Sequence, residues 1–204
     1  MAYFDSLNEY ILRAIESADL IAPSRQSLLQ SAANKLKQII EEKGKTEAIF
    51  ICTHNSRRSH LSQVWAQLAA WQYDLPITCY SGGTEATAFY PSAVAALSAA
   101  GCQISREGDQ NPCYEIKPDR SHVIRSFSKR FDDPYNPKDN FVAFMTCSDA
   151  DENCPIVPGA MHRVSLYYDD PKTYDGSDIE QKMYSERCFQ IASEMYYLMK
   201  RVKQ

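Results

Sequence analysis

Cys52 is followed six residues later by Arg58 and then by Ser59, in the run Cys52-Thr53-His54-Asn55-Ser56-Arg57-Arg58-Ser59. A thiolate is a strong nucleophile, and a guanidinium offers a planar fork that matches two oxygens of a tetrahedral oxyanion. The run falls between an apolar stretch, Ala48-Ile49-Phe50-Ile51, and Leu61, Val64, Trp65 and Leu68 at helical spacing, which reads as strand, loop, helix. In that setting the backbone N–H groups of the loop, from Thr53 through His54, Asn55, Ser56 and Arg57 to Ser59, curl around an anion, and the helix dipole adds positive potential. Amides and Arg58 together favour the charged form of Cys52, so the pattern points to nucleophilic chemistry on an oxyanion. The bland alternative is a small buried Cys52 beside a surface Arg58. His54 lines the pocket mouth or is an ordinary loop histidine, and His60 caps the helix or faces solvent.

Two more cysteines, Cys147 and Cys154, lie seven positions apart in the polar segment Cys-Ser-Asp-Ala-Asp-Glu-Asn-Cys-Pro. Such a pair can pass a disulfide along. The alternatives are inert thiols or part of a metal site, but no second set of Cys or His ligands accompanies them, so no metal is expected. Two Asp-Pro pairs, Asp133-Pro134 and Asp170-Pro171, each offer a carboxylic acid that can protonate a leaving oxygen, and each is also an ordinary turn former.

These groups need a scaffold. Periodicity predicts amphipathic helices over residues 5–17 and from Ser24 to a stop at Gly44. Strands are predicted at 48–51, 77–81, 141–146 and 164–168, with helices following Arg58, over 91–100 and over about 178–202. Gly82-Gly83 follows the second strand, and Gly101 closes the helix begun at Pro91. Residues 109–139 are polar, carry Pro112, Pro118, Pro134 and Pro137, and show no sustained period, so they read as an excursion or lid. The alternation of strands and helices implies an α/β protein with a central parallel sheet.

With 204 residues, 44% of them apolar, the chain suits one domain with some decoration. A formal net charge of -4 gives no basic field for nucleic acid or an acidic membrane surface. No stretch approaches the roughly 18 apolar residues that span a bilayer. The first residues carry Asp5 and Glu9 instead of a basic start and an apolar run, so a soluble, cytoplasmic protein is expected. Seven cysteines, an odd number in a chain of this size, point to reduced thiols.

Taken together, the CTHNSRRS loop, YSGGTEA with the following FYPSAVAALSAAGCQIS, CSDADENCP and YYDDP resemble the low-molecular-weight protein tyrosine phosphatase superfamily, and in particular its thioredoxin-coupled arsenate reductase branch. The resemblance implies a doubly wound, three-layer sandwich over 45–204 with an insertion at 109–139. It gives residues 1–44 no counterpart, so they are expected to form a helical extension. It places the nucleophile on Cys52, the anion-binding arginine on Arg58, the hydroxyl that bonds the thiolate on Ser59 and the loop-shaping asparagine on Asn55. The general acid falls on Asp170, because the family's acid follows the strand equivalent to 141–146, whereas Asp133 precedes it. His54 stands where the reductases usually have glycine, Arg57 where many have cysteine, and Gln63 where potassium-sensitive ones carry glutamate.

The resemblance further implies a relay in which Cys147 and then Cys154 take over the oxidation, with no bound cofactor and with thioredoxin or a similar dithiol as reductant. The leading expectation is therefore reduction of arsenate to arsenite. A phosphatase acting on phosphotyrosine would use the same loop and hydrolyse its phosphocysteine with water, with Phe89, Tyr90, Tyr167 and Tyr168 as aromatic walls or as simple core. A third reading is a redox- or phosphate-sensing interaction module without turnover.

Overall fold

The structure is a computed structural model and describes residues 3–153 and 156–204. Two helices come first, α1 (Asp5–Glu16) and α2 (Pro23–Lys43), joined by a 3-10 turn at Ser17–Leu20. The second opens on Pro23, whose fixed φ suits a first helical turn, and ends at Gly44 with φ 76°. Strand β1 (Thr46–Cys52) leads to α3 (Arg58–Gln72), β2 (Ile77–Gly83) and α4 (Pro91–Ala99). Then follow β3 (Gln103–Glu107), β4 (Cys113–Lys117), β5 (Ile124–Ser126), β6 (Phe141–Met145), α5 (Ser148–Asn153), β7 (Ala160–Ser165) and α6 (Glu180–Lys203).

Four strands form a parallel sheet in the order β2-β1-β6-β7. Side chains of β1 alternate between its faces as the pleat requires. Ala48 and Phe50 join Val142, Phe144 and Val164 against the long helices, and the Phe50 and Phe144 rings stack at 4.9 Å. Ile49 and Ile51 join Phe141, Ala143 and Met145 on the other face, under α5 and Val157. Burial on both faces explains why β1 and β6 read as unbroken apolar runs instead of alternating ones. Leu7, Ile11, Leu29, Leu36 and Ile39 of α1 and α2 enter the same core as α3 and α6.

Residues 109–139 differ from the expected featureless excursion. Strands β3, β4 and β5 make a small antiparallel sheet whose Tyr114, Ile116 and Ile124 pack into the main core. The segment after it runs beside β2: Gly83 donates to the Lys129 carbonyl and accepts from the Phe131 amide at 2.9 and 2.8 Å. Short strands with mixed burial show little periodicity, which is why the sequence concealed them. This sheet also overturns the solvent-facing reading of His60. That ring is fully buried, stacked on Phe89 at 4.0 Å, with Nδ1 2.7 Å from Ser126 Oγ. The strand expected at 164–168 lies at Ala160–Ser165, and the polar segment after Cys147 forms α5. Among the described residues no helix is long and apolar enough to cross a membrane.

Candidate active site

The loop from Cys52 to Arg58 joins the carboxyl end of β1 to the start of α3, the end of a parallel sheet at which α/β folds bind ligands. Its shape follows from where its carbonyls go. Cys52 O accepts from the Thr84 amide, Thr53 O from the Glu85 amide, His54 O from the Thr87 and Ser128 hydroxyls, and Ser56 O from the Tyr90 amide. In a trans peptide the N–H points opposite to the C=O. The amides of Thr53, His54, Asn55 and Arg57 therefore turn toward the inside of the loop, where they form a concave set of donors beside the first turn of α3.

Asn55 holds the bend at φ 43°, a left-handed conformation that asparagine tolerates better than most residues. Its side chain is locked by two bonds, accepting from the Lys129 amide at 2.8 Å and donating to Ser59 Oγ at 2.9 Å. Ser59 Oγ lies 3.1 Å from Cys52 Sγ. Because Asn55 occupies a lone pair of that oxygen, the hydroxyl hydrogen is free to point at sulfur, an arrangement that suits a thiolate acceptor. Gly82 and Gly83 make the close approach possible. A Cβ on Gly83 would lie 2.4 Å from Glu85 O and 2.6 Å from Asn55 N, and one on Gly82 2.6 Å from Phe131 Cα.

Arg58 is buried and directed by two acceptors: Nη1 donates to Tyr168 O at 2.9 Å, and Nη2 meets Asp170 Oδ2 at 2.6 Å. Its Nε has no partner among the described residues, a buried donor that an oxyanion oxygen would satisfy. Asp170 Oδ1 accepts from the Lys172 amide at 3.1 Å, which fixes the carboxylate at the start of the Pro171–Tyr174 turn. Asp133 instead accepts from the Tyr135 amide within its own turn, and the acid paired with Arg58 is Asp170.

Arg57 points its side chain elsewhere. It donates through Nε to Tyr184 Oη and through Nη2 to Asp175, both at 2.5 Å, and stacks on Tyr90 at 3.9 Å. Its contribution to the loop is therefore through the backbone. His54 is half-exposed, 3.8 Å from Glu85, at the rim. Ser56 donates to Ala88 O at 2.7 Å and braces the loop. The four aromatics do not make one wall. Phe89 covers His60, Tyr90 stacks on Tyr184, Tyr168 lies in the core and Tyr167 is exposed and bonded to Asp151.

Cys147 follows β6, whose Met145 pairs with Ile51 of β1. The register brings Cys52 opposite Thr146 and leaves Cys147 one residue beyond, on a strand about 4.8 Å away. Cys147 Sγ accepts from the Ala150 amide at 3.4 Å and is 3.5 Å from Oγ1 of Thr53, the residue after Cys52. Cys154 lies outside the described residues. Cys79, Cys102 and Cys188 are buried, and burial pushes the Cys188 thiol up to about 11, as befits inert core thiols. Among the described residues no three His, Cys, Asp or Glu are placed to hold a metal ion. Sequence reasoning missed the support given by Lys129, Phe131 and the Tyr168 carbonyl; only the Gly82-Gly83 pair signalled that something must pass close to the loop.

Fold and site together place a thiol, a loop of inward amides and a buried guanidinium at the carboxyl end of a parallel sheet. No protein-family model matches the chain. It is 31% identical over 135 residues to "Arsenate reductase 2" of Staphylococcus haemolyticus strain JCSC1435, covering 65% of this chain and 83% of that protein. It is 30% identical over 139 residues to the arsenate reductase of Bacillus subtilis strain 168, covering 68% and 83%. Similar solved folds include a low-molecular-weight phosphotyrosine phosphatase from Vibrio cholerae O395, with TM-score 0.53, 14% identity and coverage of 76% of this chain and 95% of that one. Another is an arsenate reductase in the phosphate binding state, with TM-score 0.50, 16% identity and coverage of 77% and 98%. The chain belongs to the arsenate reductase family, and it shares the fold of the low-molecular-weight phosphotyrosine phosphatase.

Proposed function

We propose that this protein reduces arsenate to arsenite by a three-thiol relay, and that it draws its electrons from thioredoxin or a similar dithiol. The observation that carries the reading is the second thiol: Cys147 stands at the end of the neighbouring strand, its sulfur within 3.5 Å of the residue that follows Cys52. A hydrolytic enzyme needs no such neighbour, because water releases its phosphate.

Arsenate, which shares its shape and charge with phosphate, binds in the loop amides and the Arg58 fork. The Cys52 thiolate attacks arsenic, and Asp170 supplies the proton with which an oxygen departs as water, leaving a cysteinyl–arsenic bond. Cys147 then attacks Cys52 Sγ. The sulfur–arsenic electron pair stays on arsenic, which leaves as arsenite, and the two thiols become a disulfide. Cys154 attacks Cys147, frees Cys52 and carries the disulfide outward, and the external dithiol reduces it. Asp170 begins the cycle as a carboxylate paired with Arg58; an anion that engages the guanidinium frees it to take a proton from a bound arsenate hydroxyl or from water and pass that proton to the departing oxygen.

The test is to mix Cys154→Ser with arsenate, without reductant, and digest it for mass spectrometry. A Cys52–Cys147 disulfide formed only with arsenate supports the relay. No arsenate-dependent disulfide would reject it.

A further inference from the structure

The helical extension reaches toward the oxyanion site through Arg25. Arg25, in the first turn of α2, donates from Nε and Nη2 to Glu194 Oε2 of α6 at 2.9 and 2.8 Å. Its guanidinium also covers the Tyr168 ring at 4.8 Å. Tyr168 is buried and is held on its other side by the sheet end, its amide donating to Thr146 O at 3.1 Å. Its carbonyl is the acceptor that orients Arg58 Nη1, and Asp170 follows two residues later. Glu194 is itself steadied by Gln190 Nε2 at 3.1 Å, and Ser17 ties the extension to Ser193 at 2.7 Å.

We propose that Arg25 is a positioning residue for the oxyanion site, pinning Tyr168 so that its carbonyl aims the Arg58 fork and sets Asp170 beside it. The extension is then part of the active-site scaffold. A guanidinium held by an ion pair and lying over a ring fixes that ring more stiffly than packing alone, and among the described residues Arg58 has this carbonyl and Asp170 to fix its plane. Loosening Tyr168 leaves Arg58 on the Asp170 carboxylate alone, which misaims the fork and keeps the acid occupied.

The inference rests on oxyanion binding at Arg58 and holds for either arsenate or phosphate as ligand. Its test therefore begins with a binding measurement that needs no turnover. Inorganic phosphate is titrated calorimetrically into wild type, Arg25→Lys, and a double variant, Arg25→Gln with Glu194→Gln, which removes the ion pair without leaving one buried charge unpaired. The pH profile of arsenate or aryl phosphate turnover is recorded for each, well below its melting temperature. The double variant is expected to bind phosphate about tenfold more weakly and to turn over with an altered pH profile, with Arg25→Lys in between. A double variant with a lowered melting temperature but wild-type phosphate affinity and pH profile would make Arg25 a plain brace and overturn the proposal. So would a wild type that binds no phosphate. Phosphate binding without arsenate turnover would sink the reductase reading while leaving this one testable by the same titration.

Discussion

Ser59 Oγ stands 3.1 Å from Cys52 Sγ and receives the Asn55 amide at 2.9 Å, so one hydroxyl joins the Cys52 thiol to the bend that shapes its loop. Ser59→Ala removes the donor to the thiolate but leaves the core intact. Alkylation of Cys52 by iodoacetamide at neutral pH should slow several-fold, and turnover should drop about tenfold. Unchanged alkylation would mean that the hydroxyl does not act on the sulfur.

Asp170 and Asp133 are separated by what they touch: Asp170 meets Arg58 at 2.6 Å, and Asp133 caps its own turn. Asp170→Asn should lower turnover by about a hundredfold or more while phosphate still binds, and Asp133→Asn should cost little. Steady-state kinetics of both variants decide the matter, and the reverse ranking would move the acid to the insertion.

Gly83 is required by space. A methyl group there meets three backbone atoms within 2.7 Å, none at the end of a flexible side chain. Gly83→Ala should cost about 2 kcal/mol or more of stability and weaken phosphate binding, because relief of the clash moves the Asn55 amide. Thermal unfolding with a phosphate titration checks both effects together.

Burial, with the Lys129 charge added, holds the His60 imidazole well below its usual 6.5. The unfolded chain therefore binds a proton below pH 6.5 that the folded one refuses, and stability present above that pH is lost as the pH falls. Urea midpoints should decline as the pH falls below about 6.5, and the decline should be shallower in His60→Gln. Equal slopes in the two proteins would contradict the assignment. Burial likewise lowers the Lys129 amine to about 8.

The strand, loop and helix around Cys52 were legible because a doubly buried strand makes a continuous apolar run and an amphipathic helix announces its period. The choice of Asp170 over Asp133 rested on the order of segments, and its pairing with Arg58 left no mark in the sequence. The β3-β4-β5 sheet escaped notice because its strands are short and half-exposed, and with it went the burial of His60. The links from Lys129 to Asn55 and from Arg25 to Tyr168 join residues far apart in sequence, and a bond to a backbone amide or an aromatic face leaves no pattern along the chain. The side-chain direction of Arg57 was hidden for the same reason, since its partners, Tyr90, Asp175 and Tyr184, come together only in the fold.

The most direct test of the relay is arsenate-dependent NADPH oxidation in the presence of thioredoxin and thioredoxin reductase, for wild type, Cys147→Ser and Cys154→Ser, beside hydrolysis of an aryl phosphate by the same proteins. Arsenate turnover in wild type that disappears in both variants, with aryl phosphate hydrolysis unchanged, is the predicted result. Aryl phosphate hydrolysis with no arsenate-dependent oxidation in wild type would contradict it and make the enzyme a phosphatase whose neighbouring thiols are bystanders.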